Sequence, residues 1–202
     1  MPSTGPELFG GIPALSGHFE FESGHHGDLW LDLDDLFGNP KATEIAAIKL
    51  AGLLKPVEID VICGAMIGGA LIGQVVARLL SCQFAYTERS MVGGLPRYTL
   101  PAGQHQIVAR RRVALIDDVI NAGSATSGTH HAIVNANGIP VAVAALPVLG
   151  NAIDRLATEW KLPVICNERR PSNLWHPDEC PLCQTGIPLI SPTKVKVPEP
   201  IR

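Results

Sequence analysis

Apolar and polar positions along the chain follow two periods. Short apolar runs at 59–63, 83–86, 113–116, 141–146 and 163–166 have strand length and are bounded by charged or turn-forming residues. Between them, 41–54, 70–80 and 124–137 have helical length. In the first of these, Ile45, Ile48 and Leu53 mark the expected apolar side. Asn39-Pro40 reads as an N-cap followed by proline at the first helical position, and Gly138 as the residue closing the third helix. An alternating patch at 29–33 predicts one more strand in an otherwise irregular start, and 89–106 reads as a long loop. Strand and helix alternate, which predicts an α/β fold with a mostly parallel sheet flanked by helices.

At 202 residues, with 46% hydrophobic and 17% charged positions, the chain is expected to fold as one globular domain rather than remain disordered. A net charge of −3 argues against a general nucleic-acid binder, which needs a basic surface. Residues 61–77 carry no charge, yet Gly64, Gly68, Gly69, Gly73 and Gln74 favour strand, loop and buried helix over a membrane span. The start lacks a basic region and an apolar core, so no secretory signal is expected. Five scattered cysteines do not form a disulfide framework, and a cytoplasmic location is expected.

The chemistry concentrates at 113–126. An apolar strand ends in Asp117 and Asp118, and Ala122, Gly123, Ser124, Ala125 and Thr126 open the next helix. At a strand's carboxyl end both acids can face the crevice where α/β sheets bind ligands. Carboxylates accept hydrogen bonds from vicinal hydroxyls. Small residues at a helix N-terminus leave backbone N–H groups open to a phosphate dianion. Together they suit a ribose 5-phosphate.

These residues resemble the signature of the type I phosphoribosyltransferases. The resemblance implies 5-phosphoribosyl diphosphate as donor, with Asp117 and Asp118 on the ribose hydroxyls, 122–126 on the 5′-phosphate and Mg²⁺ as cofactor. Ala65, Met66, Ile67 and Gly68 lie where that family places its pyrophosphate loop. The run Phe19-Glu20-Phe21-Glu22-Ser23-Gly24-His25-His26, continuing to Trp30 and Leu31, resembles the base-covering hood of orotate phosphoribosyltransferases. Residues 174–189 are similar to the terminus of one bacterial branch of those enzymes. The resemblance implies a hood at 1–40, an α/β core at 41–170 and an arm at 171–202, rich in proline beyond Pro188. It also implies transfer to a pyrimidine, orotate first, and a homodimer. No membrane or nucleic-acid partner is expected.

Two departures bear on the acceptor and on turnover. No lysine occurs between Lys55 and Lys161, so Arg89 and Arg97 are the candidate cations of the closing loop, with His105 as a supplement and Arg110–Arg112 read as solvated. After the strand at 141–146 the family commonly carries an arginine for orotate. Here Val148-Leu149-Gly150-Asn151 has no cation before Arg155, which leaves Arg155, His25 or His26 as stand-ins. A purine or other heterocycle as acceptor, and a non-catalytic donor-binding sensor, therefore remain open. Cys180 and Cys183 supply two of the four ligands a structural zinc needs, with His176 and Cys166 the candidates to complete it. Without a second C-x₂-C pair, a turn fixing the arm is the plainer reading, and no metal site is assigned from sequence.

Overall fold

The computed structural model describes residues 3–4 and 14–191. An amino-terminal sheet carries strands β1 (Ser3–Thr4), β2 (Ala14–Glu20) and β3 (His26–Leu31). Two helices follow, α1 (Asp34–Gly38) and α2 (Pro40–Leu54). The central region then alternates β4 (Val61–Ala65), α3 (Gly68–Leu80), β5 (Gln83–Val92), β6 (Leu95–Thr99), α4 (His105–Val108), β7 (Arg112–Asp117), α5 (Ser124–Asn135), β8 (Ile139–Leu149), α6 (Ala152–Trp160) and β9 (Val164–Arg170). The chain returns to the first sheet through β10 (Leu174–Trp175) and ends in α7 (Pro181–Gln184).

The central sheet has the order β6-β5-β4-β7-β8-β9. Every neighbouring pair is parallel except β5 and β6, which form an antiparallel hairpin. Alternation along the strands sends side chains to opposite faces of the sheet. Ala114 and Ile116 of β7 join α2 and α3 on one face, whereas Val113 and Leu115 meet Val108, Ile133 and Ala136 on the other. Each large aliphatic side chain so buried contributes about 1.5–3 kcal/mol relative to exposure. Parallel strands buried on both faces read as near-continuous apolar runs, which is how the sequence shows them.

The predicted helices are present, with differences at their edges. Asn39 caps α2, its side-chain oxygen accepting from the Ala42 N–H at 3.2 Å, and Pro40 occupies the first turn. The apolar side expected of α2 is a correction: Ile45, Ile48 and Leu53 are exposed, and the buried face is Thr43, Ala46, Ala47, Leu50, Ala51 and Leu54. Small side chains there let the helix lie close to α3 and the sheet. At the end of α5 the left-handed residue is Asn137 (φ 59°), not Gly138. Glycine is still needed at 138, because a Cβ would stand 2.6 Å from Ile133 Cγ2. Residues 89–106 are not a loop. They continue β5, turn at Gly93-Gly94 (φ 60° and 81°), and return as β6. Helix α6, β2 and the whole antiparallel pairing of the first sheet were not predicted. Much of the proline-rich arm lies outside the described residues.

Arg112, at the amino-terminal end of β7, forks onto Asp60 through Nη2 at 2.9 Å and Nε at 3.1 Å, and also pairs with Glu58. These donors hold the Asp60 carboxyl down at about 2. That end of the strand is opposite to the acids, so Arg112 serves the fold. Among the described residues no helix is long and apolar enough to cross a membrane. Residues 61–77 divide between β4 and α3 as expected.

Candidate active site

The carboxyl ends of β4 and β7 are neighbours, and each runs through a short loop into a helix. Helix α3 starts at Gly68 and α5 at Ser124, and neither has a side-chain cap. The first turn of a helix leaves backbone N–H groups unpaired and carries the positive end of its dipole. Two such ends therefore open beside the Asp117–Asp118 pair. Gly123 turns the chain into α5 with φ 79°, a conformation that favours glycine.

The acids sit in close surroundings. Asp117 is buried, with its Oδ1 accepting from the Asp118 N–H at 3.1 Å and its Oδ2 from the Thr126 hydroxyl at 3.4 Å. Gly68 lies directly on Asp118, where a Cβ would stand 2.0 Å from Oδ2. Gly69 likewise rests on β7, its missing Cβ 2.6 Å from the Ile116 carbonyl oxygen. Burial, then the neighbouring charge of Asp118, pushes Asp117 well above the usual carboxylate range. Burial also raises Asp118.

The folded state therefore holds the Asp117 proton more firmly than the unfolded chain does. Stability from this group is full below the unfolded value of about 4 and is lost as pH rises through the raised folded value. Asp117→Asn removes the buried charge, so at pH ~8 it should melt above the wild type, with the gap narrowing as pH falls from the raised folded value and closed by about 4. Melting temperatures across that range check this. A variant that melts no higher than wild type at the alkaline end would contradict it.

A cleft of about 850 Å³ joins these parts to the amino-terminal sheet. Its walls include Ala65, Met66, Ile67 and Gly68, the acids, the loop 121–125, and Trp30 and Leu31. Trp30 stacks on Phe21 with ring centroids 6.0 Å apart, and Leu31 is core. The Met66–Ile67 peptide is cis. The Met66 N–H already donates to the Thr87 carbonyl at 3.0 Å. The Asn121 side-chain nitrogen is buried in the cleft wall without a protein partner, a donor open to a ligand. Sequence reasoning passed over it because an asparagine in a turn is usually explained by the turn.

Several expected residues stand elsewhere. Thr126 is buried against Asp117 and lines no part of the cleft. Arg97 is exposed on β6, opposite Ser90. Arg89 is held at the rim by Glu22, Nε to Oε1 at 2.8 Å, and that same oxygen accepts from the Tyr98 hydroxyl at 3.0 Å. Burial, then Glu22, raises the Tyr98 hydroxyl. Leu149 occupies the wall where an orotate arginine was sought, and neither Arg155, His25 nor His26 reaches it. Among the described residues the lining holds six carboxylates (Glu20, Glu22, Asp32, Asp34, Asp117 and Asp118) and no lysine, arginine or histidine. The groups there that present a positive end are the two helix N-termini.

No family model matches the sequence. The chain is 32% identical over 182 residues to an orotate phosphoribosyltransferase of Heliobacterium modesticaldum, covering 88% of this chain and 90% of that one. It is 30% identical over 185 residues to the enzyme of the same name from Caldicellulosiruptor saccharolyticus, covering 91% of both. Among solved structures, orotate phosphoribosyltransferase from Aeropyrum pernix superposes with a TM-score of 0.61 at 19% identity, over 77% of this chain and 87% of that one.

Proposed function

The chain belongs to the orotate phosphoribosyltransferase family and is a pentosyltransferase of the type I phosphoribosyltransferase fold, and from that premise we propose that it transfers phosphoribosyl from 5-phosphoribosyl diphosphate to orotate, releasing pyrophosphate. One observation carries the reading: two adjacent acids stand between two uncapped helix N-termini in a single cleft. A sugar with two free hydroxyls and phosphates on both sides matches that order of groups.

The residues divide the work. Asp117 and Asp118 accept hydrogen bonds from the 2- and 3-hydroxyls. The N–H groups of 122–125 and the Ser124 hydroxyl take the 5′-phosphate, binding energy remote from the reacting carbon. The start of α3 at Gly68 offers backbone to the pyrophosphate. As the bond from C1 to pyrophosphate lengthens, positive charge grows on the ribose ring, and the acids stabilise it in a poorly solvated setting. The ring nitrogen of the base then bonds to C1. Trp30, stacked on Phe21, supplies a flat apolar wall for the base.

The oxygen-rich lining suits a hard cation, and Asp117 and Asp118 are the carboxylates that would help to hold it. Mg²⁺ bound with the donor would neutralise the pyrophosphate. Arg89 and Arg97 on the β5–β6 hairpin supply the remaining positive charge when the hairpin closes. The hairpin exposes Met91, Val92 and Leu95, which supports a homodimer in which it packs on a second copy.

A second reading is favoured by the cation-free lining: an acceptor without a carboxylate, such as a purine. Incubating the protein with donor, Mg²⁺ and a panel of bases, and following pyrophosphate release, separates the two. Release with orotate alone is the expected result. Release with an uncharged base and none with orotate moves the acceptor to the second reading. Absence of release with every base overturns both.

A further inference from the structure

A second constellation lies outside the cleft, where the arm meets the amino-terminal sheet. His18 on β2 and His26 at the start of β3 face Cys180 and Cys183 at α7. His18 Nε2 is 3.1 Å from His26 Nδ1, 3.4 Å from Cys180 Sγ and 3.7 Å from Cys183 Sγ. Cys183 Sγ is 3.2 Å from His26 Nδ1, and all four ligand atoms fall within 4.8 Å of one another.

Zinc bonds of about 2.0–2.1 Å to nitrogen and about 2.3 Å to sulfur imply tetrahedral edges of roughly 3.3 Å for N···N, 3.6 Å for N···S and 3.8 Å for S···S. The observed separations scatter around those values. Hydrogen bonding alone does not account for the cluster. His18 Nδ1 faces the Ile187 carbonyl oxygen at 2.8 Å, so that nitrogen carries the proton and donates. Nε2 is left with one lone pair, on which three neighbours converge. A metal ion resolves the crowding, and the Ile187 carbonyl is the kind of outer partner that orients a ligating imidazole. Three of the four residues are buried, and every position of the tetrahedron comes from protein.

We propose that His18, His26, Cys180 and Cys183 form a closed structural zinc site that fastens the carboxyl-terminal arm to the amino-terminal sheet. The two-nitrogen, two-thiolate set selects zinc over oxygen-seeking cations. The site's reach to the cleft is short: Phe19 follows His18, lines the cleft and bridges Ile190 of the arm, which lines it too. His176 and Cys166, the completing ligands considered from sequence, are outside the cluster, with His176 beside Asp178 at 3.4 Å.

The full chain, purified under reducing conditions, should contain about one zinc by elemental analysis. Cobalt exchanged into it should give the intense visible bands and thiolate charge-transfer absorption of a tetrahedral S₂N₂ site. Cys180→Ser and Cys183→Ser should each lose the metal, and Cys166→Ser should keep it. Removing the metal with a chelator should expose residues 174–187 to protease while the central sheet stays resistant. If reduced wild-type chain takes up neither zinc nor cobalt, the site is overturned. If Cys166→Ser loses the metal as Cys183→Ser does, the ligand set is overturned. If the arm stays protected without metal, the fastening role is overturned.

Discussion

Asp118→Asn is expected to lower turnover by about 10²–10³-fold while the chain remains folded. Asparagine has the shape of aspartate, so the contact with Gly68, which leaves no room for a Cβ, is kept. What disappears is the negative charge beside the developing positive ring and one strong acceptor for a ribose hydroxyl. The effect should appear in kcat more than in KM, because the charge matters most when the ring is most cationic. Pyrophosphate release, with circular dichroism and a thermal melt as the control for folding, measures it. Turnover near that of the wild type would remove the acids from the mechanism.

Gly64→Ala should act by a different route and damage the fold itself. A Cβ at Gly64 would stand 2.3 Å from the Gly69 carbonyl oxygen and 2.6 Å from the Ala70 Cα. Both are backbone atoms of α3's first turn, so no side chain can rotate away. The helix must lift from β4, against a core that buries Ile62, Ile72 and Val76. Overpacking of this kind costs about 1–3 kcal/mol, and a backbone clash belongs at the upper end. For a chain of this size that means a melting temperature lower by roughly 6–12 °C. A melt unchanged within a degree or two would show that the strand and helix have slack that the distances deny. Gly73 provides the contrast, since its nearest contacts are side-chain atoms of Ile62 and Phe84 at 3.3 Å.

The site was legible where it is local. Strand, acids, turn and helix start follow one another within 113–126, and a parallel strand's apolar run and a helix's small-residue entry are both written into consecutive positions. Signals that were present but weak include α6, whose Ile153, Ala157 and Trp160 follow helical spacing. The α2 face is hard to place from sequence because large residues suggest it, whereas half of the buried positions there are alanine. Long-range pairing left no local trace. The β3–β10 contact brings Trp175 to His26, and the histidine–cysteine cluster joins residues more than 150 positions apart. Likewise the arginines of 89–106 are countable in the sequence. Their removal from the cleft follows from a hairpin that turns at Gly93-Gly94 and from Glu22, a partner 67 positions away.

That Glu22 oxygen, shared by Arg89 and Tyr98, sets the character of the cleft's mouth. The ion pair is partly exposed, so it holds by about 1 kcal/mol or less, close to thermal energy. A fastening so weak is a latch that opens and recloses spontaneously. A polyanion that captures the guanidinium in an open interval keeps the latch from reclosing, so the ligand itself becomes the wedge.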